Sequence, residues 1–266
     1  MINNINLDQL KEKGFLTIKN FLNEEEIGKI NNQLKNMSLQ NIGKGDKRGY
    51  FPVKMQAKII KLLKLDFNSL KTSNTLTKIA KKLELKKIAE SFFDTDVNLH
   101  MIDTYFSPIS NKNVIEWHSD LSYKPGINYD INKSSLKFFF YLTDVQSKNG
   151  CLAYVPYSNL VTKAVAELIV SKKIEYTPYW DLQQLRNLVI SKNNINKILN
   201  LVGEEKLEKF IENTKFIEEK NKDTEKFDLE MNKGGVVIFD EFGVHRGSMP
   251  SKTSRQVLRY FYKKNS

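Results

Sequence analysis

A chain of 266 residues, 40% hydrophobic and 11% aromatic, is long and apolar enough to bury one sizeable core and is not of disordered composition. The formal charge of +11 would suit a nucleic-acid partner, but it is unevenly spread: residues 54–90 hold ten lysines against three acids, whereas residues 204–230 hold six against ten. The single cysteine, Cys151, excludes an internal disulfide and any cysteine-based cluster within one chain.

The N-terminus lacks a basic segment followed by an apolar one, and no apolar run reaches the length of a membrane span. A soluble, cytoplasmic protein without membrane contact is therefore expected. Residues 14–18 read as a short strand. Asn23 then opens a helix, with Glu26 completing a capping box, Leu22 and Ile27 in staple positions, and Ile27, Ile30, Leu34 and Met37 as the buried stripe. Residues 38–52, with Gly43, Gly45 and Gly49 among polar neighbours, read as a flexible loop able to cover a site. Two lysine-rich helices follow, roughly 54–64 and 74–92. Leu76, Ile79, Leu83 and Ile88 recur there at helical spacing with lysines between them, which makes the basic excess a solvated face rather than a specific nucleic-acid surface.

Residues 97–105 begin the sheet, which continues through 114–117 into Trp117-His118-Ser119-Asp120. Residues 136–142 form a near-continuous apolar strand buried on both faces. After a turn at Lys148-Asn149-Gly150, residues 151–156 give another strand, ended by Pro156. The pattern is helical over 158–220, and strands return at 227–231, 236–239 and 256–262. Strands on both sides of a helical insertion suit a single domain, 1–266, that is mainly β with flanking helices. Its core would be a double-stranded β-helix (jelly-roll, cupin-like), with a helical N-terminal part to about 95 and an insertion over about 158–225.

The chemistry concentrates in three side chains. In an extended strand, residues i and i+2 share a face, so His118 and Asp120 point the same way. His245 lies far downstream, after the apolar run at 236–239. Two imidazoles and one carboxylate on one side of an ion, with the other positions open, is the arrangement of non-heme Fe(II) oxygenases. An isolated His-x-Asp also recurs as a surface pair or as an Asp orienting a His. Two other readings stand beside the oxygenase: a zinc-dependent hydrolase on a similar barrel, and a non-catalytic jelly-roll ligand-binding protein. Met101, Asp103 and Tyr105 alternate along one strand face, looking either into a pocket or into the core. Trp117 and Tyr123 read equally as pocket wall or core, His100 as a structural histidine, and Cys151 as a small buried residue.

Five pieces in order carry a resemblance. These are Gly14-Phe15-Leu16 followed by Phe21-Leu22-Asn23 and a helix; Trp117-His118-Ser119-Asp120; Asn149-Gly150-Cys151-Leu152 through Val155-Pro156-Tyr157-Ser158-Asn159; Gly234-Gly235-Val236-Val237-Ile238-Phe239 leading to His245; and Arg255 ten residues on. Over nearly its full length the chain resembles the phytanoyl-CoA dioxygenase-like family of Fe(II)/2-oxoglutarate oxygenases. It departs from the family pattern at Tyr157, where Gly is usual, at Gly235, where Asp is common, and at Arg246, which enters between His245 and Gly247.

The resemblance implies Fe(II) on His118, Asp120 and His245, with 2-oxoglutarate as co-substrate, O2 as oxidant and ascorbate as a stimulant. It implies Arg255 on the far carboxylate of 2-oxoglutarate, with Arg259 as competitor, Ser248 as an accompanying hydroxyl and Tyr105 touching the co-substrate. Related halogenases have a small residue at the carboxylate position, so Asp120 implies hydroxylation of a C–H bond. The substrate is a small molecule, anionic if the lysines attract it. Oligomeric state is not legible.

Overall fold

The computed structural model describes residues 5–35, 39–43, 46–51, 67–110, 116–120, 134–175 and 181–265. Among these the first helix is α1 (Leu7–Lys13), which stops at Gly14 in the left-handed conformation and hands over to β1 (Phe15–Ile18). Next comes α2 (Glu24–Leu34). Asn23 accepts from the Glu26 backbone N–H and Glu26 accepts from that of Asn23, the expected capping box, while Ile27, Ile30 and Leu34 are buried. Met37 lies outside the described residues. Asn23→Ala should cost about 1 kcal/mol of stability, measurable by denaturant titration.

The remaining elements, in chain order, are β2 (Gln40–Gly43), β3 (Asp46–Phe51), α3 (Phe67–Lys82), α4 (Leu85–Phe93), β4 (Val97–Ser107), β5 (Ser135–Tyr141) and β6 (Leu152–Tyr154). Then follow α5 (Ser158–Val170), α6 (Leu182–Ile190), α7 (Ile195–Val202), α8 (Glu204–Glu219), β7 (Asp228–Leu229), β8 (Val236–Asp240), β9 (His245–Gly247) and β10 (Arg255–Lys264).

Seven strands form an antiparallel sheet in the order β1-β8-β5-β10-β4-β3-β2, and three form a second sheet, β7-β6-β9. Period-two alternation gives the large sheet its two faces. Leu136, Phe138 and Phe140 of β5, Val236 and Ile238 of β8, and Leu258, Tyr260 and Tyr262 of β10 pack with α1–α4 in one core. The intervening residues of the same strands turn to the opposite side: Lys137, Phe139 and Tyr141, with Val257, Arg259 and Phe261, line a cavity beneath the small sheet. Helices α5–α8 build a core of their own, which includes Trp117, Ala153 and Val244. The outcome is the expected jelly roll, covered by N-terminal helices and carrying a helical insertion after β6.

Several expectations were displaced. The segment at 38–52 contains a hairpin, β2–β3, rather than a loop, because β3 is held by pairing with β4, Arg48 against Tyr105 and Tyr50 against Asp103. The lysine-rich helix at 74–92 is two helices, broken where Glu84 takes a left-handed backbone at φ 55°. Leu76, Leu83 and Ile88 are buried, as their spacing required. The strand at 227–231 shrinks to two residues, and His245 lies in a strand of its own, β9, that was not foreseen. The helix at 54–64 and residues 111–115 lie outside the described residues. Among the described residues no helix is long and apolar enough to cross a membrane.

Candidate metal centre and its cavity

His118 reaches His245 because the two backbones pair. His118 N–H donates to the His245 carbonyl (3.0 Å) and His245 N–H donates to that of His118 (2.9 Å). The segment around His118 thus takes a fourth place beside β9 in the small sheet. The imidazole centroids lie 4.7 Å apart. Ser119 faces away and donates to the Phe242 carbonyl at 2.8 Å, and Asp120 returns to the histidines' side. One potential ligand atom from each of His118, Asp120 and His245 lies within 4.8 Å of the others.

The hydrogen bonds show that this cluster fits a cation. Nδ1 of His118 lies 2.7 Å from the Glu116 carbonyl and Nδ1 of His245 lies 2.9 Å from the Gly243 carbonyl. A carbonyl only accepts, so each Nδ1 carries the proton and each Nε2 turns a lone pair inward. Those Nε2 atoms face Asp120 oxygens at 3.7 Å and 3.3 Å. Burial lowers the pKa of His245 against the pull of Asp120, which keeps this ring neutral near pH 7. Burial alone would raise the pKa of Asp120, but Lys137 and His245 hold it well below the usual carboxylate range. Electron-rich atoms converging at these separations are stabilised by a divalent ion, and the N2O donor set suits iron.

The cavity, of about 570 Å³, runs from the cluster to Arg255. Arg255 donates to the Gly150 carbonyl (2.9 Å), the Ser248 carbonyl (3.1 Å) and Ser107 Oγ (2.9 Å), and no carboxylate pairs with it among the described residues. Its Nε is buried and unpartnered, and burial pushes its pKa below the ordinary arginine value. Gly150, at φ 84°, brings its backbone against this side chain; a Cβ there would lie 3.3 Å from the Arg255 side chain. Arg259 differs. It grips Asp103 through Nε (2.6 Å) and Nη2, and Arg48 binds the same carboxylate, so Arg259 is committed to a buried ion pair.

The other sequence candidates fall as follows. Tyr105 lines the cavity, with the Arg259 guanidinium 4.5 Å and that of Arg48 5.3 Å from its ring centroid. Ser248 meets Arg255 through its carbonyl only; its hydroxyl donates to the Cys151 carbonyl at 2.9 Å. Met101 and His100 line the cavity, while Trp117 is buried in the insertion core and Tyr123 lies outside the described residues. Cys151 is buried and its thiol is pushed up to about 12, which makes it inert. Tyr157, standing where the family usually has Gly, occupies a left-handed backbone at φ 66°, the conformation that favours Gly.

The charged and polar cavity residues missed include Arg48, Lys137, Tyr141, Glu241 and Lys263. Lys137 had a signal, since an ammonium inside an otherwise apolar strand marks a polar site beneath it.

Arg246 ties the small sheet to the insertion. It stacks 4.8 Å from the Trp117 ring, donates to the Lys222 carbonyl (2.9 Å) and the Thr224 carbonyl (2.6 Å), and pairs with Asp228 at 3.3 Å. Trp117 Nε1 donates to the same Lys222 carbonyl at 3.2 Å. Arg246 and Trp117 directly adjoin His245 and His118, so this buried contact braces both histidine segments. Arg246→Ala strands Asp228 without its partner and should lower unfolding free energy by about 3 kcal/mol, read by denaturant titration.

A jelly roll with a His-x-Asp pair and a distant His over one open cavity defines the class of iron- and 2-oxoglutarate-dependent dioxygenases. The chain belongs to the phytanoyl-CoA dioxygenase family, whose profile it matches over residues 10–257. That membership makes iron and 2-oxoglutarate its cofactors, as the sequence led us to expect. It is 27% identical, over 149 residues, to a probable alpha-ketoglutarate-dependent hypophosphite dioxygenase of Stutzerimonas stutzeri; the match covers 56% of this chain and 50% of that protein. The chain thus spans about half the length of this curated relative. Its fold is similar to the alpha-ketoglutarate-dependent carbocyclase SnoK of nogalamycin biosynthesis, with a TM-score of 0.58 and 13% identity over 98% of this chain and 85% of that one. It is also similar to HygX of Streptomyces hygroscopicus, solved with nickel and 2-oxoglutarate, with a TM-score of 0.54 and 14% identity over 98% and 88% of the two chains.

Proposed function

We propose that this protein is a hydroxylase that couples conversion of 2-oxoglutarate and O2 to succinate and CO2 with hydroxylation of a C–H bond in a small anionic molecule. The observation that carries the reading is the pairing of an N2O cluster with a buried guanidinium that has no carboxylate partner among the described residues, at two places in one cavity. His118, Asp120 and His245 would hold the ion. When bound, iron supplies the redox chemistry that links decarboxylation of 2-oxoglutarate to oxygen insertion, with ascorbate maintaining the ferrous state.

Arg255 would take the distal carboxylate, because its fork matches two carboxylate oxygens and Ser107, Gly150 and Ser248 already fix its plane. Ser248 contributes through its carbonyl rather than its hydroxyl. Tyr105 forms the wall beside the co-substrate, and its ring stays under the two other guanidiniums.

Charge supports an anionic substrate. The cavity is lined by Arg48, Lys137, Arg255, Arg259 and Lys263 against Asp120 and Glu241, with Asp103 between two of the arginines. A divalent ion adds two positive charges and 2-oxoglutarate removes two, so an excess of two remains among the described residues. Residues 121–133, which follow Asp120, contain Lys124 and Lys133 against Asp130 and do not reverse it. One relative is named as a probable dioxygenase of hypophosphite, itself an anion. Succinate release should be screened with Fe(II), ascorbate and O2 over short carboxylates and organic phosphonates; hypophosphite, which has no C–H bond, is a separate arm whose turnover would replace C–H by P–H hydroxylation. Stimulation above the uncoupled rate by an anion is expected; stimulation only by neutral or cationic compounds would refute the substrate class.

A further inference from the structure

Asp46 opens β3 on the side of the sheet that faces the cavity, since Arg48, two residues on, is one of the lining residues. Lys47 pairs with Phe106, so one step back along the strands sets Asp46 across from Ser107, and Ser107 pairs with Arg255. An acid, a hydroxyl and a guanidinium therefore share one row across β3, β4 and β10. The last two touch, Arg255 Nη2 donating to Ser107 Oγ at 2.9 Å. Asp46 makes no ion pair with Arg255, yet Oδ1 of Asp46 and Nε of Arg255 are both buried without a hydrogen-bond partner among the described residues. The charge is felt across the row: burial lowers the pKa of Arg255, whereas Asp46 acts to raise it.

A carboxylate with a buried, unsatisfied oxygen costs the fold stability, so its presence beside the guanidinium calls for an account beyond packing. Asp46 is not among the residues that line the cavity, and it acts on a bound molecule by its field rather than by contact. It reduces, without reversing, the positive excess of the cavity. We propose that Asp46 is a positioning residue acting through Arg255. Its fixed negative charge opposes the distal carboxylate of the co-substrate and sets how strongly the pocket prefers a dicarboxylate to a 2-oxoacid with an uncharged end. The inference rests on the oxygenase reading, in which Arg255 takes that carboxylate. Its sign is definite: the pocket holds 2-oxoglutarate less tightly than Arg255 alone would, which favours exchange of succinate for fresh co-substrate.

The test compares two ligands by titration calorimetry under nitrogen into Fe(II)-loaded protein. One is 2-oxoglutarate; the other is 2-oxopentanoate, which carries a methyl group in place of the distal carboxylate. Asp46→Asn keeps the shape of the side chain and removes its charge. It should tighten 2-oxoglutarate binding about fivefold and leave 2-oxopentanoate within about twofold of the parent. Lost packing would instead weaken both ligands. Unchanged or weaker 2-oxoglutarate binding, or an equal gain for both ligands, overturns the assignment. If Asp46→Asn does not fold, Asp46→Ser decides by the same comparison; if neither folds, Asp46 is structural and the assignment falls. A parent that does not prefer 2-oxoglutarate to 2-oxopentanoate removes the distal carboxylate from Arg255 and this assignment with it. A parent with that preference, which the variants fail to widen, removes only the role of Asp46.

Discussion

Asp120→Ala is expected to abolish metal-dependent turnover, lowering succinate release by at least about a thousandfold, the scale of roughly 4 kcal/mol of lost stabilisation. Asp120 is the one anionic donor in the cluster, facing His118 Nε2 and His245 Nε2 at 3.7 and 3.3 Å. Without it, two imidazoles are left beside the Lys137 ammonium, and a divalent ion gains little from such a site. Stability should fall as well, since the buried Lys137 ammonium then keeps only Glu241, so iron loss and turnover are to be compared at a temperature where the variant is folded. The checks are iron content after reconstitution, succinate release and a melting curve on one preparation. An alanine variant that retains iron and turnover would exclude Asp120 from the centre.

The second large effect separates the two arginines. Arg255→Met should raise KM for 2-oxoglutarate by about a hundredfold, close to 3 kcal/mol, with the fold retained. Arg255 has no carboxylate of its own among the described residues, so its removal strands no partner. Arg259→Met should instead destabilise the protein, because buried Asp103 then keeps only Arg48. Initial rates against 2-oxoglutarate concentration, together with melting curves, distinguish them. If Arg259→Met carries the KM effect and Arg255→Met does not, the co-substrate pocket is turned end for end.

Why the sequence was readable in some places and not others follows from what each element depends on. The capping box at Asn23 and the near-continuous apolar run of β5 are local properties, and they appear where the sequence placed them. His118 and Asp120 shared a face for the same reason. The hairpin β2–β3 was hidden because its residues are polar and its pairing partner, β4, lies some fifty residues on. The strand β9 is three residues long and exists only through β6 and His118, so no periodicity could announce it.

At the site, residue type and spacing brought the triad and Arg255 forward, but they could not distinguish Arg255 from Arg259. That difference lies in Asp103, which faces Arg259 by cross-strand register. Glu241 was illegible for another reason: it becomes part of the site only because Lys137, on a neighbouring strand, leans between it and Asp120.

Three side chains and one guanidinium are expected to form a single site for metal and co-substrate. Calorimetric titration of 2-oxoglutarate under nitrogen, into protein with and without Fe(II), addresses it most directly. Stoichiometric binding that needs the metal, vanishes in Asp120→Ala and weakens about a hundredfold in Arg255→Met is the expected result. Iron-loaded protein that takes up no 2-oxoglutarate, or takes it up equally well without iron, would contradict it.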